Sequence, residues 1–318
     1  MNILVTGGAG FIGSHVVDLL LKKKHKVVVI DNLCNGSIRN VNDRAIFFRF
    51  DITSSSIEAL FRNNHFDAVI HLAAHIDARA SLQKPLLDAR TNILGSLNII
   101  DLCIRYKVKR FIYASSAAVY GNPEYLPMDE RHPIRPINNY GISKQVVEHY
   151  LDVAHRISGM EYVILRFSNV YGPRQGGMGE AGVIAKFLRQ IIDKRPITVN
   201  GDGRQTRDFI YVKDVAKAIS LCLRKRPKRR IMNISTDVEI PLNQIVEIIR
   251  HALKEPIRKK HAPAHPGDVQ RSRMDNHVAR TQLNWHPETD IEEGIHETVV
   301  FFRKQKAAPK RRKELRER

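Results

Sequence analysis

A glycine-rich stretch, Thr6-Gly7-Gly8-Ala9-Gly10-Phe11-Ile12-Gly13, decides the fold predicted for this 318-residue chain. A short apolar run precedes it, and apolar residues at helical spacing follow it. Glycines at 7, 10 and 13 permit a tight turn, close approach of the backbone to a pyrophosphate, and close packing of helix on strand. Free amides at the start of the helix would bind the phosphates. The stretch therefore predicts a strand–turn–helix unit that binds a dinucleotide.

A carboxylate follows the second predicted strand. Residues 27–30 are all apolar, and Asp31 comes next, 18 residues beyond Gly13. At this position a carboxylate can accept hydrogen bonds from both hydroxyls of an adenosine ribose, and it would repel a 2′-phosphate. The spacing therefore favours NAD over NADP as cofactor.

Strand and helix patterns alternate through the first half of the chain. Strand-like runs cover residues 45–50, 68–72, 110–114 and 162–167, and apolar residues at helical spacing lie between them. This alternation predicts an α/β fold with a doubly wound, parallel Rossmann sheet. After about residue 168 the pattern loosens, which predicts a second, smaller, substrate-binding α/β domain that lies over the carboxyl ends of the strands.

The predicted boundaries follow from these patterns. The NAD-binding domain takes residues 1–168, with a return segment at about 208–235, and the smaller substrate-binding domain takes 169–302, with helices at 183–192 and 242–253. Residues 303–318 are basic and almost free of apolar side chains, so we expect a disordered tail.

Composition excludes some classes of protein. Without a run of 18 apolar residues, no membrane span is expected. The 3 widely spaced cysteines favour a reduced, cytoplasmic protein. A net charge of +19 predicts salt-sensitive, non-specific binding to nucleic acid, but no base-reading module is present. A nucleic-acid-binding protein on a dehydrogenase scaffold is therefore the remote alternative. His71 and His75 straddle a strand end without a third ligand nearby, so we expect no metal.

Tyr140 and Lys144 are the strongest catalytic candidates. On a helix their side chains lie on one face, one turn apart. An ammonium next to a phenol is expected to lower the phenol pKa, which would make Tyr140 a general base at neutral pH. Ser116, which ends the strand before this helix, could hydrogen-bond the same substrate hydroxyl.

Together these motifs resemble those of the extended short-chain dehydrogenase/reductases, and among them the nucleotide-sugar 4-epimerases of the UDP-glucose 4-epimerase type. The resemblance covers roughly residues 1–302. It rests on Thr6–Gly13, Asp31-Asn32, Asp51-Ile52, His71–Ala74, Asn92, Ser115–Gly121, Tyr140/Lys144, Leu165–Pro173, Gly201–Gly203, Thr206–Ile210 and Pro266–Asp268.

The resemblance implies a mechanism in which NAD stays bound. Tyr140 would take the proton of the 4-hydroxyl while NAD takes the hydride from sugar carbon four. The 4-keto sugar would then turn, and the hydride would return to its other face. Lys144 would hold the nicotinamide ribose, and Ser116 would orient the hydroxyl.

The resemblance also implies the binding residues. The cofactor set is Gly7, Gly10, Phe11, Ile12, Gly13, Asp31, Asn32, Asn35, Gly36, Asp51, Ile52, Leu72, Ala73, Ala74, Asn92, Ser115, Tyr140 and Lys144. For the UDP-sugar, Asn169 and Arg207 would hold the diphosphate, and Asp268 would accept the uridine-ribose hydroxyls. A homodimer is implied, with the helices at 92–106 and 140–156 in contact.

Two positions depart from the family pattern. His265 stands where arginine is usual, so Arg271 or Arg273 could replace it at the diphosphate. Ser272 stands where glucose-restricted epimerases carry tyrosine, which leaves room for an N-acetyl group. UDP-GlcNAc and UDP-GalNAc are therefore expected as substrates beside UDP-glucose and UDP-galactose.

Related reactions remain as alternatives. A nucleotide-sugar dehydratase or decarboxylase needs an extra acid or base just after the strand-end serine, and this chain has Ala117-Ala118 there. UDP-glucuronate 4-epimerase is closer in chemistry, and the motifs leave it open.

Overall fold

The computed structural model describes residues 1–176, 182–225, 227–264 and 268–307. Its strands are β1 Asn2–Thr6, β2 Lys26–Ile30, β3 Ile46–Phe48, β4 Ala68–His71, β5 Arg110–Ser116, β6 Glu161–Phe167, β7 Asn169–Tyr171, β8 Ile197–Asn200, β9 Thr206–Arg207, β10 Phe209–Tyr211, β11 Ile231–Ile234, β12 Ile240–Pro241 and β13 Lys259–Ala262.

Its helices are α1 Phe11–Lys22, α2 Glu58–Asn63, α3 Ala78–Gln83, α4 Pro85–Asp88, α5 Gly95–Arg105, α6 Asn139–Ser158, α7 Val183–Ile192, α8 Val212–Cys222, α9 Leu242–Leu253, α10 His277–Leu283 and α11 Ile291–Ala307. A π-helical turn, Ala89–Leu94, joins α4 to α5. The predicted helices at 183–192 and 242–253 are confirmed at those bounds.

A parallel sheet of seven strands runs in the order β11-β6-β5-β4-β1-β2-β3. The chain starts in the middle at β1, builds outward through β2 and β3, and then crosses to β4 on the other side of β1. In such a sheet ligands bind at the carboxyl ends of the strands where the order reverses, here between β1 and β4. The predicted doubly wound fold is confirmed.

Alternate side chains of each strand feed two apolar cores, because successive residues of a strand point to opposite faces. On one face Ile3 and Val5 of β1 pack with residues of α1, α8 and α10. On the other face Leu4 packs with residues of α2, α5 and α6. The helices on both faces hold the sheet rigid, so the ends of its strands can position a site.

A third apolar core belongs to the later part of the chain, formed mainly by α7, α9, α11 and the short strands β8 and β10. The return segment gives β11 to the large sheet and α8 to its first core. Trp285 and α10 pack there as well. After residue 168 the chain therefore contributes both to this third core and, through β11, α8 and α10, to the large sheet and the first core.

The predicted tail begins too early. Helix α11 continues to Ala307, and the guanidinium of Arg303 donates to the Leu253 carbonyl and to Glu255. The apolar residues of α11 pack on α9, which explains why helix persists into the basic segment. Residues 308–318 lie outside the described part of the chain.

Within the described ranges, no helix is both long enough and apolar enough to cross a bilayer.

Candidate active site

The glycine loop is packed as tightly as the sequence predicts. Gly7 has a φ of 70°, and a Cβ there would lie 2.7 Å from the amide nitrogen of Ala73. A Cβ on Gly13 would collide with the Gly7 carbonyl oxygen and lie 2.8 Å from the Cα of Gly8. Gly10 is the N-cap of α1, so the first amides of that helix have no partner within it. The loop forms a bare-backbone cradle, with a helix N-terminus above it, that fits a pyrophosphate.

Asp31 lies at the carboxyl end of β2, beside this cradle. Its carboxylate accepts hydrogen bonds from the amides of Ala9 (3.0 Å) and Leu33 (2.8 Å). Burial raises its pKa, and the two amides oppose that rise. Gly36 packs against the same carboxylate, and Asn35 beside it is exposed. Lone pairs remain on Asp31 for ribose hydroxyls, so its predicted role fits the geometry.

Asp51 and Ile52 sit at the next strand end. The side-chain nitrogen of Asn32 donates to the carboxylate of Asp51 (2.7 Å). The backbone N–H and the hydroxyl of Thr53 also donate to this carboxylate. The Ile52 side chain is buried, and it fills the space beside Gly95 where a Cβ would stand. Ile52 can therefore reach a cofactor only through its backbone.

Asn92 organises the loop after β4. It is 1% exposed, its side-chain oxygen accepts from the His75 amide (2.7 Å), and its nitrogen donates to the His75 carbonyl (2.9 Å) and to Asp88 (2.9 Å). The π-helical turn that carries it is a type of distortion often found at functional sites. Asn92 therefore holds residues 72–75 in place, and its side chain is committed to protein groups.

His71 is fully occupied as well. Its ring nitrogens lie 2.7 Å from the Thr6 hydroxyl and 2.9 Å from the Ser96 hydroxyl. Burial lowers its pKa to about 3, so the ring is neutral. In the ranges that the structure describes, no cluster of His, Cys, Asp and Glu has the grouping of a metal site.

The predicted catalytic residues come together at the end of β5. Asn138 caps α6 by accepting from the Gly141 amide (2.8 Å), which fixes the first turn, where Tyr140 lies. Ser116 is close enough to the Tyr140 phenol for its hydroxyl to lower the phenol pKa. Since the Ser116 oxygen already accepts from the Ala118 amide (3.1 Å), its proton is free to point at the phenol. Tyr140 and Ser116 thus face the same point at the end of β5.

Lys144 lies one turn further along α6 and is only 3% exposed. Its ammonium donates to the Ala114 carbonyl (2.8 Å) and lies 4.9 Å from the centre of the Tyr113 ring and 5.9 Å from that of Tyr140. Burial lowers its pKa to about 8, against the opposing effect of Asp88 and Glu148.

We predicted that Lys144 lowers the pKa of Tyr140, and this prediction is wrong. Burial raises the Tyr140 pKa to about 12, the hydrogen bond from Ser116 opposes this rise, and Asp88 adds to it. The Lys144 ammonium donates to the Ala114 carbonyl and faces the rings of Tyr113 and Tyr140.

Ser115 was predicted to contact the cofactor, but its side chain is hydrogen-bonded to Glu148. Its hydroxyl donates to Glu148 (2.6 Å), so the side chain is committed and only the backbone can contact a cofactor. Glu148 also accepts from the Arg166 Nε (3.0 Å), and Arg166 donates to the Tyr120 hydroxyl (3.1 Å). This buried network is absent from the sequence prediction, because its members lie far apart in the chain.

Among the predicted substrate residues, Asn169 lies beside the Arg207–Asp208 segment, and Arg207 lies near Asp268. Asn169 is exposed on β7. Its backbone N–H donates to the backbone carbonyl of Asp208 (2.9 Å), the residue that follows Arg207. Burial lowers the Arg207 pKa, and the nearby charge of Asp268 opposes this. Asp268 also lines a groove of about 580 Å³ between residues 122–126 and 268–271.

The expected substitutes for the missing arginine are occupied. Arg271 forms a two-pronged ion pair with Glu239 (3.0 and 2.7 Å), and Arg273 pairs with Asp237 (2.7 Å). Each guanidinium is therefore paired with a carboxylate of its own in this structure. His265 lies outside the described residues. Ser272, between the two arginines, is small and buried.

The fold and this site agree with a comparison to known families. The family model described as the NAD dependent epimerase/dehydratase family matches residues 3–235. The chain therefore belongs to the NAD-dependent epimerase/dehydratase family, whose cofactor is NAD.

Individual relatives narrow the class. A Methanocaldococcus jannaschii protein that carries a provisional UDP-glucose 4-epimerase name is 43% identical over 302 residues, which are 95% of this chain and 98% of that protein. The UDP-glucose 4-epimerase of Thermotoga maritima, solved with UDP-glucose, is 40% identical, with a TM-score of 0.93 over 96% of this chain and 99% of its own.

A third relative is named for an N-acetylated sugar. The UDP-N-acetylglucosamine 4-epimerase of Methanobrevibacter ruminantium M1, solved with UDP-N-acetylmuramic acid, is 35% identical, with a TM-score of 0.90 over 96% of this chain and 98% of its own. The protein is thus an epimerase of the extended short-chain dehydrogenase/reductase class, similar to the UDP-glucose 4-epimerases.

Proposed function

We propose that the enzyme inverts carbon four of UDP-sugars, interconverting UDP-glucose with UDP-galactose and UDP-GlcNAc with UDP-GalNAc. The observation that carries this proposal is the grouping of Tyr140 with Ser116 at the end of β5 and with the buried Lys144 ammonium, which lies 5.9 Å from the centre of the Tyr140 ring. The same strand ends hold the glycine cradle and Asp31. This arrangement suits removal of a proton from a hydroxyl next to a dinucleotide.

The residues have separate tasks in this scheme. The Ser116 hydroxyl can donate to the phenol oxygen of Tyr140. It can therefore fix the direction in which Tyr140 faces a sugar hydroxyl. Tyr140 takes the proton of the 4-hydroxyl and later returns it. Lys144, whose ammonium lies 5.9 Å from the centre of the Tyr140 ring, would hold the nicotinamide ribose beside the phenol. NAD, when bound, supplies the hydride acceptor and donor at carbon four.

For the cofactor, we propose two kinds of contact. The amides of Phe11, Ile12 and Gly13 at the start of α1 would hold the pyrophosphate, and Asp31 would accept from the adenosine ribose. Backbone groups along the strand ends would complete the site, at Asn32, Asn35, Gly36, Asp51, Ile52, Leu72, Ala73, Ala74 and Ser115. Asn92 would act through the loop that it holds.

For the substrate, we propose that Asn169 and Arg207 bind the diphosphate and that Asp268 binds the uridine ribose. The guanidinium of Arg207 is partly buried and can form two parallel hydrogen bonds to phosphate oxygens. An anchored nucleotide lets the sugar turn over without leaving the site.

Ser272 is the proposed determinant of sugar size. Its side chain is small and follows Arg271, which lines the groove with Asp268, and the N-acetylglucosamine relative supports the acceptance of bulkier sugars. Ser272→Tyr is expected to suppress turnover of UDP-GalNAc and to spare UDP-galactose. An unchanged ratio of the two activities would contradict this role, and Ser158→Tyr at the far end of α6 serves as control.

We also propose a homodimer in which the helices at 92–106 and 140–156 meet. Apolar side chains stand exposed along this surface: Leu94 on the π-helical turn, and Ile142, Tyr150, Val153 and Ile157 on α6. The spacing of the four on α6 places them on one helical face.

The enzyme is proposed to work in the cytoplasm, which suits three free cysteines.

One assay tests the function. UDP-galactose, UDP-GalNAc and UDP-galacturonate are offered separately, and inversion at carbon four is followed by proton NMR without added cofactor. We expect the first two to react with no net reduction of NAD. Turnover of UDP-galacturonate alone would instead identify a glucuronate epimerase, and loss of water or carbon dioxide would identify a dehydratase or decarboxylase.

A further inference from the structure

Two cations are buried at the end of β5, and each needs a compensating charge, since an unpaired buried ion is costly. Arg166 and Lys144 are both 3% exposed. Arg166 has its carboxylate, because Glu148 binds its guanidinium through two nitrogens. The Lys144 ammonium donates a hydrogen bond to the uncharged carbonyl of Ala114. A second carboxylate is needed to balance the charge of this ammonium.

Asp88 is placed to be that carboxylate. It ends α4, immediately before the π-helical turn, and is 1% exposed. Its Oδ1 accepts from the side-chain nitrogen of Asn92 (2.9 Å), and the same nitrogen also donates to the hydroxyl of Ser143 (3.1 Å). Ser143 precedes Lys144 on α6. The carboxylate is therefore fixed to the turn that carries the catalytic pair.

The charge balance of the surroundings leaves this role to Asp88. The titratable groups that face Lys144 or Asp88 are His71 from β4, His75 from the following loop, Tyr113 from β5, and Tyr140 and Glu148 from α6. His71 is neutral, and burial keeps the Tyr113 phenol protonated by raising its pKa. Glu148 is shared with Arg166.

We propose that Asp88 is a positioning residue for the catalytic pair: its buried carboxylate, fixed to Ser143 through Asn92, is the counter-ion that keeps the Lys144 ammonium charged. This inference rests on the proposed roles of Tyr140 and Lys144. Asp88 never meets the substrate in this scheme. It acts through Ser143, Asn92 and the field that it exerts on the ammonium.

The electrostatic effects have definite signs. Asp88 raises the pKa of Lys144 against the larger lowering by burial, and it adds to the raised pKa of Tyr140. Removing its charge should therefore make both groups lose their protons at lower pH. The pH range of activity would move as a whole toward acid, which a merely structural role would not cause.

The test compares three variants of the NAD-loaded enzyme. Asp88→Asn removes the charge but keeps an oxygen that can accept from Asn92. Asp88→Glu keeps the charge on a longer arm. Asp152→Asn makes the same charge change at the surface of α6, where Asp152 pairs with Arg156. Thermal unfolding confirms that each variant folds.

Two readouts are followed in each variant: kcat against pH, and the NMR titration of the Lys144 side-chain carbon next to the ammonium. In Asp88→Asn both the alkaline limb of kcat and the titration midpoint should fall by about one pH unit or more. In Asp88→Glu and Asp152→Asn both should stay close to wild type.

Each result decides one question. If the Asp88→Asn midpoint coincides with wild type, or if Asp88→Glu moves it equally, the counter-ion role is refuted. If the midpoint falls but kcat does not follow it, the counter-ion role stands and the proposed part of Lys144 in turnover fails.

Discussion

Replacing Arg166 with methionine should destabilise the fold far more than the loss of a surface ion pair would. The Arg166 and Glu148 side chains are 4% and 6% exposed, and Glu148 also accepts from Ser115. Methionine fills similar space but leaves the Glu148 carboxylate buried without a cation. Breaking a buried pair in this way costs about 3–5 kcal/mol.

The magnitude can be checked by calorimetry. With an unfolding entropy of roughly 2.1 cal/mol/K per residue, a loss of about 4 kcal/mol lowers the Tm of a chain of this length by about 6 °C. Arg156→Met is the matched control, since it removes the exposed partner of Asp152 on the same helix and should cost less than about 1 kcal/mol.

A double variant separates the orphaned charge from the lost packing. Glu148→Gln together with Arg166→Met removes both charges, so it should be more stable than Arg166→Met alone by about 1–3 kcal/mol. Equal stability of the single and double variants, or a cost for Arg166→Met no larger than that of the control, would refute the reasoning.

Four further outcomes are expected. Tyr140→Phe should lower kcat by about 10²–10⁴-fold and leave calorimetric binding of UDP unchanged, so retained turnover would contradict the assignment. Gly13→Ala, which drives a Cβ into the Gly7 carbonyl, should lose bound NAD in a nucleotide-release assay, whereas Gly159→Ala, which is strained by its φ of 70° but has no atom within 4 Å of the new Cβ, should keep it. Turnover should decline as pH rises past about 8, where Lys144 loses its proton. The contribution of Lys144 to stability should rise in that range, because a lysine with a lowered folded-state pKa is penalised while charged. RNA binding in a filter assay should vanish above roughly 0.5 M salt, and binding that persists would revive the nucleic-acid hypothesis.

The sequence predicted those features that depend on local spacing. Glycines at fixed offsets, the acidic end of β2 and helical periodicity at 183–192 and 242–253 are set by short-range geometry, and the structure confirms the fold that they indicate. The end of the last helix was predicted less well, because packing of α11 on α9 keeps residues 303–307 helical despite their charge.

The partners of buried polar groups were not predictable in this way. The Ser115 hydroxyl is satisfied by Glu148 and the Asn92 side chain by His75 and Asp88, pairings that exist only once β4, β5 and α6 have come together. The predicted direction of the Tyr140 pKa shift was wrong for the same reason. A spacing of four residues shows that a cation is near, but the degree of burial decides the pKa.

The late position of β11 has a consequence for synthesis. A nascent chain that has reached residue 168 carries six of the seven large-sheet strands, yet its β6 edge stays open until Ile231–Ile234 emerge from the ribosome. Open apolar edges invite aggregation, so this interval is the vulnerable one. A gene cut at the boundary between the two halves should therefore give fragments that rescue each other only when expressed together.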